Sequence, residues 1–154
     1  WREALTELLE EIEAIEQDDV KASLATFIKQ ALNKTNDQLI DSYVYTFDFG
    51  KKTNMYLTYM NTGEQRERGI ELLELKQHYK KSGFEVTDKE LPDYLPLLLE
   101  FFANANEQDS EPIMSKYKEN IQALHVQLKE AGSMYEPILA AVLLAIDTWG
   151  VQTN

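Results

Sequence analysis

Apolar side chains recur every three or four residues over most of this chain, which places them on one face of an α-helix. The first such stripe lies on a strongly acidic segment and contains Leu5, Leu8, Leu9, Ile12 and Ile15. A second stripe contains Val20, Leu24, Phe27, Ile28 and Ala31, and a third contains Leu39, Ile40, Tyr43, Val44 and Phe47. Either Asp18 or Asp19 is placed to cap the second helix. We therefore expect three amphipathic helices in the first third of the chain.

The segment 43–59 is rich in aromatic and β-branched residues, a composition that favours a β-strand. Strict alternation of apolar and polar residues is absent, however, so a strand is not well supported. A break near Gly50 followed by Met55, Tyr56, Leu57 and Tyr59 instead predicts a short helix.

The second half of the chain predicts further helices with clear ends. After a turn at Gly63, a long helix over about residues 64–82 ends at Gly83, a residue favoured at helix C-termini. Pro92 is suited to the first turn of a helix at 93–104, which is apolar nearly all round and therefore central.

The remaining residues predict a linker and two final helices. The polar stretch 104–111 is the best linker candidate, and apolar residues at helical spacing come after it as far as Gly132. Glu136 and Pro137 open the last helix. About eight helices with no convincing strand predict an all-α fold, a single helical-bundle domain over residues 1–154.

Composition narrows the possible partners. The chain has 27 acidic and 15 basic side chains, a formal net charge of −12 that argues against nucleic acid and anionic membrane surfaces. The most apolar stretch, 138–146, is shorter than the roughly 20 residues of a spanning helix, so stable membrane insertion is not expected. A partner with positive charge is favoured.

Enzymatic functions find little support. There is no cysteine, and neither His78 nor His125 has the Glu-x-x-His spacing of a di-iron bundle. The chain also lacks a Gly-x-Ser-x-Gly elbow and a glycine-rich phosphate loop. We expect no catalytic residues, no metal site and no bound cofactor.

Aromatic residues are concentrated in the middle of the chain, where residues 43–102 hold 11 of the 16 aromatic side chains. Acidic residues are interleaved with them. One interpretation is an aromatic core with a solvated acidic face. The other is a groove with an apolar floor and a negative rim, which would receive a basic amphipathic peptide.

The same region contains six short motifs, YTFD at 45–48, KK at 51–52, YLTY at 56–59, RERG at 66–69, LLELK at 72–76 and ELPDYLP at 90–96. Over about 60 residues that contain these motifs, the chain strongly resembles the NarJ family, the assembly chaperones or delta subunits of respiratory nitrate reductase, within the TorD-like group of redox-enzyme maturation proteins. Tyr94 stands where many members of the wider group have histidine, and tyrosine is the form of the nitrate reductase branch.

The resemblance implies an all-helical cytoplasmic chaperone without enzymatic activity. Its partner would be the N-terminus of the nitrate reductase catalytic (alpha) subunit, a remnant twin-arginine-like peptide. It would assist molybdenum cofactor insertion before membrane docking, and proteins of molybdenum cofactor biosynthesis are further expected partners. The opening Trp1-Arg2-Glu3 resembles the segment after a short first helix in the family, so the resemblance implies that this helix is missing here.

The matched motifs also imply the peptide-binding residues. Aromatic residues would form the apolar floor, namely Tyr45, Phe47, Tyr56 and Tyr59, with Tyr94 beside them. Carboxylates would form the rim, namely Asp48, Asp93 and Glu100. Lys51 fits a basic ligand poorly; it and Lys52 would pair with Glu90 or Asp93, or contact another part of the client.

Three other functions remain open at this stage. One is maturation of a different molybdoenzyme, of the dimethyl sulfoxide or trimethylamine oxide reductase type. The second is an acidic helical interaction scaffold without a groove, and the third is a nucleotide-dependent factor, which the absence of a glycine-rich loop disfavours.

Overall fold

Helices account for all the regular secondary structure in residues 1–60 and 65–153, which the computed structural model of the chain describes. Seven α-helices lie in these ranges: α1 (Arg2–Glu11), α2 (Asp18–Leu32), α3 (Asn36–Tyr43), α4 (Gln65–Lys81), α5 (Leu95–Asn104), α6 (Glu107–Glu130) and α7 (Glu136–Thr153). Short 3₁₀ turns span Ile12–Ala14 and Leu57–Met60, and a π-turn spans Val44–Asp48. The all-α prediction is confirmed. The turn predicted at Gly63 lies outside the described residues.

The chain divides into two compact units. Unit 1 consists of Trp1–Thr53 and Gln122–Asn154, and unit 2 consists of Asn54–Ile121. Unit 1 therefore holds α1, α2, α3, α7 and the end of α6, whereas unit 2 holds α4, α5 and most of α6. The single-domain organisation stays a prediction.

Unit 1 has an aliphatic core. Its buried members are Leu5, Ile12, Ile28, Ala31 and Leu39. In this unit α2 packs on both α1 and α7, as expected for amphipathic helices that bury their stripes against one another. The first turn of α3 is fixed by a capping box, in which Thr35 and Gln38 each bind the other's backbone N–H.

The predicted cap of α2 is wrong by one residue. Gln17 holds the N-cap position, and Asp18 and Asp19 both lie in the first turn. The backbone N–H of Val20 donates to Oδ1 of Asp19 at 2.8 Å. The two carboxylates therefore still act at the positive end of the helix dipole.

Unit 2 has an aromatic core, in which the buried Tyr79 and Phe101 rings lie 4.9 Å apart between centroids. Helix α4 ends at Lys81, and Gly83 follows it as predicted, with a φ of 77° that is the left-handed conformation of a glycine after a helix C-terminus. The N–H of Phe84 then donates to the carbonyl of Tyr79, which closes the helix end. Phe84 packs its ring on both Tyr79 and Phe101.

Two predicted boundaries in unit 2 are wrong. The helix expected at 93–104 begins at Leu95, so Pro96 rather than Pro92 lies in its first turn. The expected linker 104–111 is mostly helix, because α6 begins at Glu107. Within the described part of the chain, no helix is long and apolar enough to cross a membrane.

Candidate functional site

Two segments of unit 2 that carry the ELPDYLP and YLTY motifs pair with each other. The N–H of Leu57 donates to the carbonyl of Asp93 at 3.1 Å, and the N–H of Leu95 donates to the carbonyl of Met55 at 2.9 Å. These bonds frame an isolated antiparallel bridge between Tyr56 and Tyr94. The two motifs therefore form one structural element, although they lie far apart in the sequence.

Asp93 is fully buried beneath this bridge. Its Oδ2 atom accepts hydrogen bonds from Thr58, from the backbone N at 3.0 Å and from Oγ1 at 2.7 Å. Nη2 of Arg68 lies 3.7 Å from the same oxygen, and Nε of Arg68 donates to Oγ1 of Thr58 at 3.1 Å. The expectation that Asp93 lies on an acidic rim is wrong, because its side chain is fully buried and its carboxylate is not accessible to a ligand at the surface.

The tyrosines of the bridge are only partly accessible. The rings of Tyr56 and Tyr94 lie 5.2 Å apart between centroids, and both side chains are half-buried. The hydroxyl of Tyr56 donates to the exposed Glu90 carboxylate. Tyr59 is different, because 51% of its surface is exposed and the guanidinium of Arg68 lies 5.7 Å from its ring centroid. Unit 2 thus presents tyrosine rings next to a carboxylate.

Two further tyrosines of unit 2 lie in the core and have perturbed acidity. Burial, with a smaller contribution from the Asp93 charge, raises the pKa of Tyr79, whose hydroxyl donates to the carbonyl of Pro92 at 2.7 Å. Burial also raises the pKa of Tyr117, and the neighbouring Glu71 carboxylate adds to the effect. The Tyr117 hydroxyl donates to Oε1 of Glu71 at 3.1 Å. Both phenols are therefore held in the neutral form.

In unit 1 the YTFD motif is divided between core and surface. Phe47 is buried, and its ring lies 4.8 Å from that of Tyr135 and 5.1 Å from that of Tyr43. The expectation that Phe47 lines an accessible floor is therefore wrong. Tyr45 has the opposite environment, with 79% of its surface exposed, and Asp48 is also exposed.

A cavity of about 760 Å³ lies beside Tyr45 in unit 1, and we refer to it as the lysine cavity. Its walls include Lys34, Lys51, Lys52, Glu130, Tyr45 and Phe49. The turn after the YTFD motif forms one side of the cavity. The hydroxyl of Thr53 donates to the carbonyl of Thr46 and closes this turn. Gly50 lies directly against both of these groups, and any side chain there would collide with them.

The nine residues that the sequence suggests for peptide binding are thus found in both units. Unit 1 contains Tyr45, Phe47, Asp48 and Lys51, and unit 2 contains Tyr56, Tyr59, Asp93, Tyr94 and Glu100. Glu100 is exposed on α5. Glu90 and Asp93, the suggested partners of the two adjacent lysines, instead bind Tyr56 and Arg68 respectively.

The sequence contains no clear signal for the contacts made by two residues, Arg68 and Lys34. Arg68 belongs to the RERG motif, but nothing in its spacing indicates that it meets both Asp93 and Tyr59. Lys34 lies between α2 and α3 without a recognisable motif, so no local signal joins it to the KK pair at 51–52. Across the described ranges, no group of three or more His, Asp or Glu side chains could hold a metal ion.

Comparison with known proteins shows the protein family to which this helical chain belongs. The model of the nitrate reductase delta subunit family matches residues 3–140. The chain is 46% identical over 154 residues to the probable nitrate reductase molybdenum cofactor assembly chaperone NarJ of Bacillus subtilis (strain 168), covering all of this chain and 84% of that protein. The chain belongs to the nitrate reductase delta subunit family.

More distant relatives agree with this assignment. The nitrate reductase molybdenum cofactor assembly chaperone NarJ of Escherichia coli (strain K12) is 28% identical over 106 residues, 69% of this chain and 45% of that protein. The nitrate reductase-like protein NarX of Mycobacterium tuberculosis (strain ATCC 25618 / H37Rv) is 37% identical over 108 residues, 70% of this chain and 17% of that protein. The prediction of family from the motifs is therefore confirmed.

Proposed function

We propose that this chain is an assembly chaperone of respiratory nitrate reductase that binds the N-terminal peptide of the enzyme's catalytic subunit. The chaperone role is supported by family membership and by the chaperone function of the Bacillus subtilis relative, which aligns with the whole chain. The chaperone acts in the cytoplasm and holds the apoenzyme while the molybdenum cofactor is inserted. Proteins of cofactor biosynthesis meet the complex at that stage.

We place the peptide on the tyrosine surface of unit 2, defined as Tyr56, Tyr59 and Tyr94 with the Glu90 carboxylate. The observation that carries this choice is that Tyr59, whose ring is half-exposed, follows closely on Tyr56 in the same segment, and Tyr56 packs on Tyr94 and donates to the exposed Glu90. Tyrosine suits a wet interface because its ring buries apolar area and its hydroxyl keeps a hydrogen bond. The apolar face of the peptide packs on the rings, and its cations lie near Glu90.

The lysine cavity of unit 1 is a poor site for the same peptide. Lys34, Lys51 and Lys52 would lie close to the cations of a basic segment, and like charges brought together at an interface cost free energy. We therefore leave Tyr45 and Lys51 out of the peptide site. Asp93 acts indirectly, because its bonds to Thr58 hold the residue next to Tyr59 in place.

Calorimetric titration with a synthetic peptide from the N-terminus of the cognate catalytic subunit tests this proposal. The unmodified chain gives saturable one-to-one binding. Tyr59→Ala weakens binding by about tenfold or more, because aromatic anchors supply most of the affinity of such interfaces. Tyr45→Ala is the matched control, since it removes an even more exposed tyrosine from unit 1, and it changes the affinity by less than about twofold.

Two further titrations measure the electrostatic contribution to binding and the specificity for the client peptide. Glu90→Gln weakens binding by no more than about fivefold and only at low salt, because exposed ion pairs contribute about 0–1 kcal/mol and are screened. A peptide from a dimethyl sulfoxide reductase binds more weakly than the nitrate reductase peptide. Equal binding by Tyr59→Ala and the unmodified chain would reject the tyrosine surface, and equal binding of both peptides would reject the client assignment.

A further inference from the structure

Arg68 places a positive charge beside the exposed ring of Tyr59. Its guanidinium lies 5.7 Å from the ring centroid, within the distance of about 6 Å at which an aromatic face attracts a cation. Tyr59 is 51% exposed, and the side chain of Arg68 is 25% exposed. A ligand that packs on Tyr59 therefore meets an aromatic ring and a cation together.

Two fully buried residues hold Arg68 in this position. Its Nε atom donates to Oγ1 of Thr58 at 3.1 Å, and its Nη2 atom lies 3.7 Å from Oδ2 of Asp93. The carboxylate offsets part of the guanidinium charge, but Asp93 is buried whereas the Arg68 side chain is partly exposed. The cation beside Tyr59 is therefore in place before a ligand binds, which reduces the ordering that binding requires.

A charge of opposite sign lies beside the other tyrosine of the same segment. The hydroxyl of Tyr56 donates to the exposed carboxylate of Glu90. The N–H of Tyr59 donates to the carbonyl of Tyr56 at 3.0 Å, so the two tyrosines are one 3₁₀ turn apart. Side chains three residues apart in such a turn lie on the same side. The tyrosine surface thus has an acidic end at Tyr56 and a basic end at Tyr59.

We propose that Arg68 is a specificity-determining residue of the tyrosine surface and excludes the cations of the bound peptide from the Tyr59 ring. A second cation at this ring would lie close to Arg68, and like charges brought together at an interface cost free energy. Tyr59 therefore binds an uncharged or acidic side chain of the peptide, and the peptide cations lie at the Tyr56 end, next to Glu90. This inference rests on the proposed function, because it concerns the same peptide on the same surface.

Calorimetric titration with variant peptides tests the inference on the unmodified chain. Each probe is the synthetic N-terminal peptide of the cognate catalytic subunit with lysine or glutamate at one position. An alanine series of the peptide, titrated against Tyr59→Ala, identifies the position that contacts this ring, because the two losses are not additive there. At that position we expect the lysine peptide to bind about fivefold or more weakly than the glutamate peptide at low salt, and the difference to shrink at high salt.

Three protein variants assign this charge preference to Arg68. Arg68→Gln combined with Asp93→Asn removes both charges of the pair and leaves no unpaired buried charge. In this double variant the lysine and glutamate peptides should bind within about twofold of each other, because the charge that distinguishes them is gone. Arg68→Lys keeps the positive charge and should keep the preference for glutamate. Arg66→Gln is the matched control, since it removes an exposed arginine of the same motif, and it should change the ratio of the two affinities by less than about twofold.

The ratio of the two peptide affinities distinguishes a charge effect from a structural one. If Arg68 only supported the fold, its replacement would weaken both peptides by the same factor and leave the ratio unchanged. Circular dichroism of each variant verifies that the helices are intact.

Two results would overturn the inference. The first is equal binding of the lysine and glutamate peptides to the unmodified chain, a result that needs no variant of Arg68. The second is a preference for glutamate that persists in the double variant. Failure of the peptide to bind the unmodified chain, or unchanged binding by Tyr59→Ala, would instead reject the proposed function, and the inference would fall with it.

Discussion

Thr58 donates two hydrogen bonds to a single carboxylate oxygen of Asp93, one from its backbone N–H and one from its hydroxyl group. Because Arg68 approaches both residues, the three side chains form one polar group within unit 2, in which Asp93 and Thr58 are fully buried and Arg68 is partly buried. This group joins the segment that precedes Tyr59 to the segment that precedes α5. It is a part of unit 2 that packing of apolar side chains alone would not specify.

Replacement of Asp93 by alanine should strongly destabilise the protein. The change leaves Arg68 without its carboxylate partner and Thr58 with unpaired donors, and removing one member of a buried pair costs about 3–5 kcal/mol. The free energy of unfolding, measured by urea titration, gives the value. Asp88→Ala is the control, because Asp88 is 92% exposed in its pair with Lys76 and should change stability by less than about 1 kcal/mol. Equal losses for the two variants would contradict the prediction.

The buried phenols predict a loss of stability at alkaline pH. Burial raises the pKa of Tyr79 and of Tyr117 in the folded state above the ordinary tyrosine value of about 10, so the folded protein retains protons that the unfolded chain releases. Their contribution is complete below pH 10 and is lost as the pH rises beyond it. The free energy of unfolding should fall by about 1.4 kcal/mol per pH unit for each tyrosine.

Urea unfolding at several pH values between about 9 and 11 measures this slope. Tyr79→Phe and Tyr117→Phe should each reduce the slope by about one tyrosine's contribution. Tyr45→Phe should not change it, because that ring is exposed in the folded state. A slope that is the same in all of these variants would show that other groups cause the alkaline loss.

Two glycines should respond to alanine in opposite directions. Gly50→Ala places a methyl group against the carbonyl of Thr46 and the hydroxyl of Thr53, and such overpacking costs about 1–3 kcal/mol. Gly69 lies inside α4 with open space around it, so Gly69→Ala should stabilise the protein by about 0.5–1 kcal/mol through helix propensity. Thermal and urea unfolding of both variants provide the comparison. Destabilisation by Gly69→Ala would contradict the packing described for α4.

The helices are predictable because their signals are local. The stripes of α1 and α2 and the glycine after α4 depend on neighbouring residues only. The linker predicted at 104–111 is wrong, because a helix begins within it. Asn106 accepts a hydrogen bond from the N–H of Asp109 at 2.9 Å, and acidic residues lie in the first turn, which are the features of a helix start. That signal is present in the sequence.

The errors at the candidate site have a different origin. Pro92 has the local character of a helix start, but the backbone around Asp93 and Leu95 is engaged by residues 55 and 57, which are distant in sequence. Likewise, Phe47 and Tyr45 are two residues apart in one motif, and only the tertiary packing on Tyr135 determines which ring is buried. Local spacing can identify the motifs and the family, but not which of their side chains remain accessible.

Unit 1 is built from residues 1–53 and 122–154, and the whole of unit 2 lies between these stretches in the sequence. Because α2 packs on α7 as well as on α1, the part of α2 that contacts α7 lacks its partner until α7 leaves the ribosome. At roughly 5–20 residues per second, synthesis of the intervening hundred or so residues takes on the order of 5–20 seconds. A member of a family that assists the assembly of another enzyme thus exposes its own apolar surface to other proteins during translation, whereas the continuous chain of unit 2 is complete earlier.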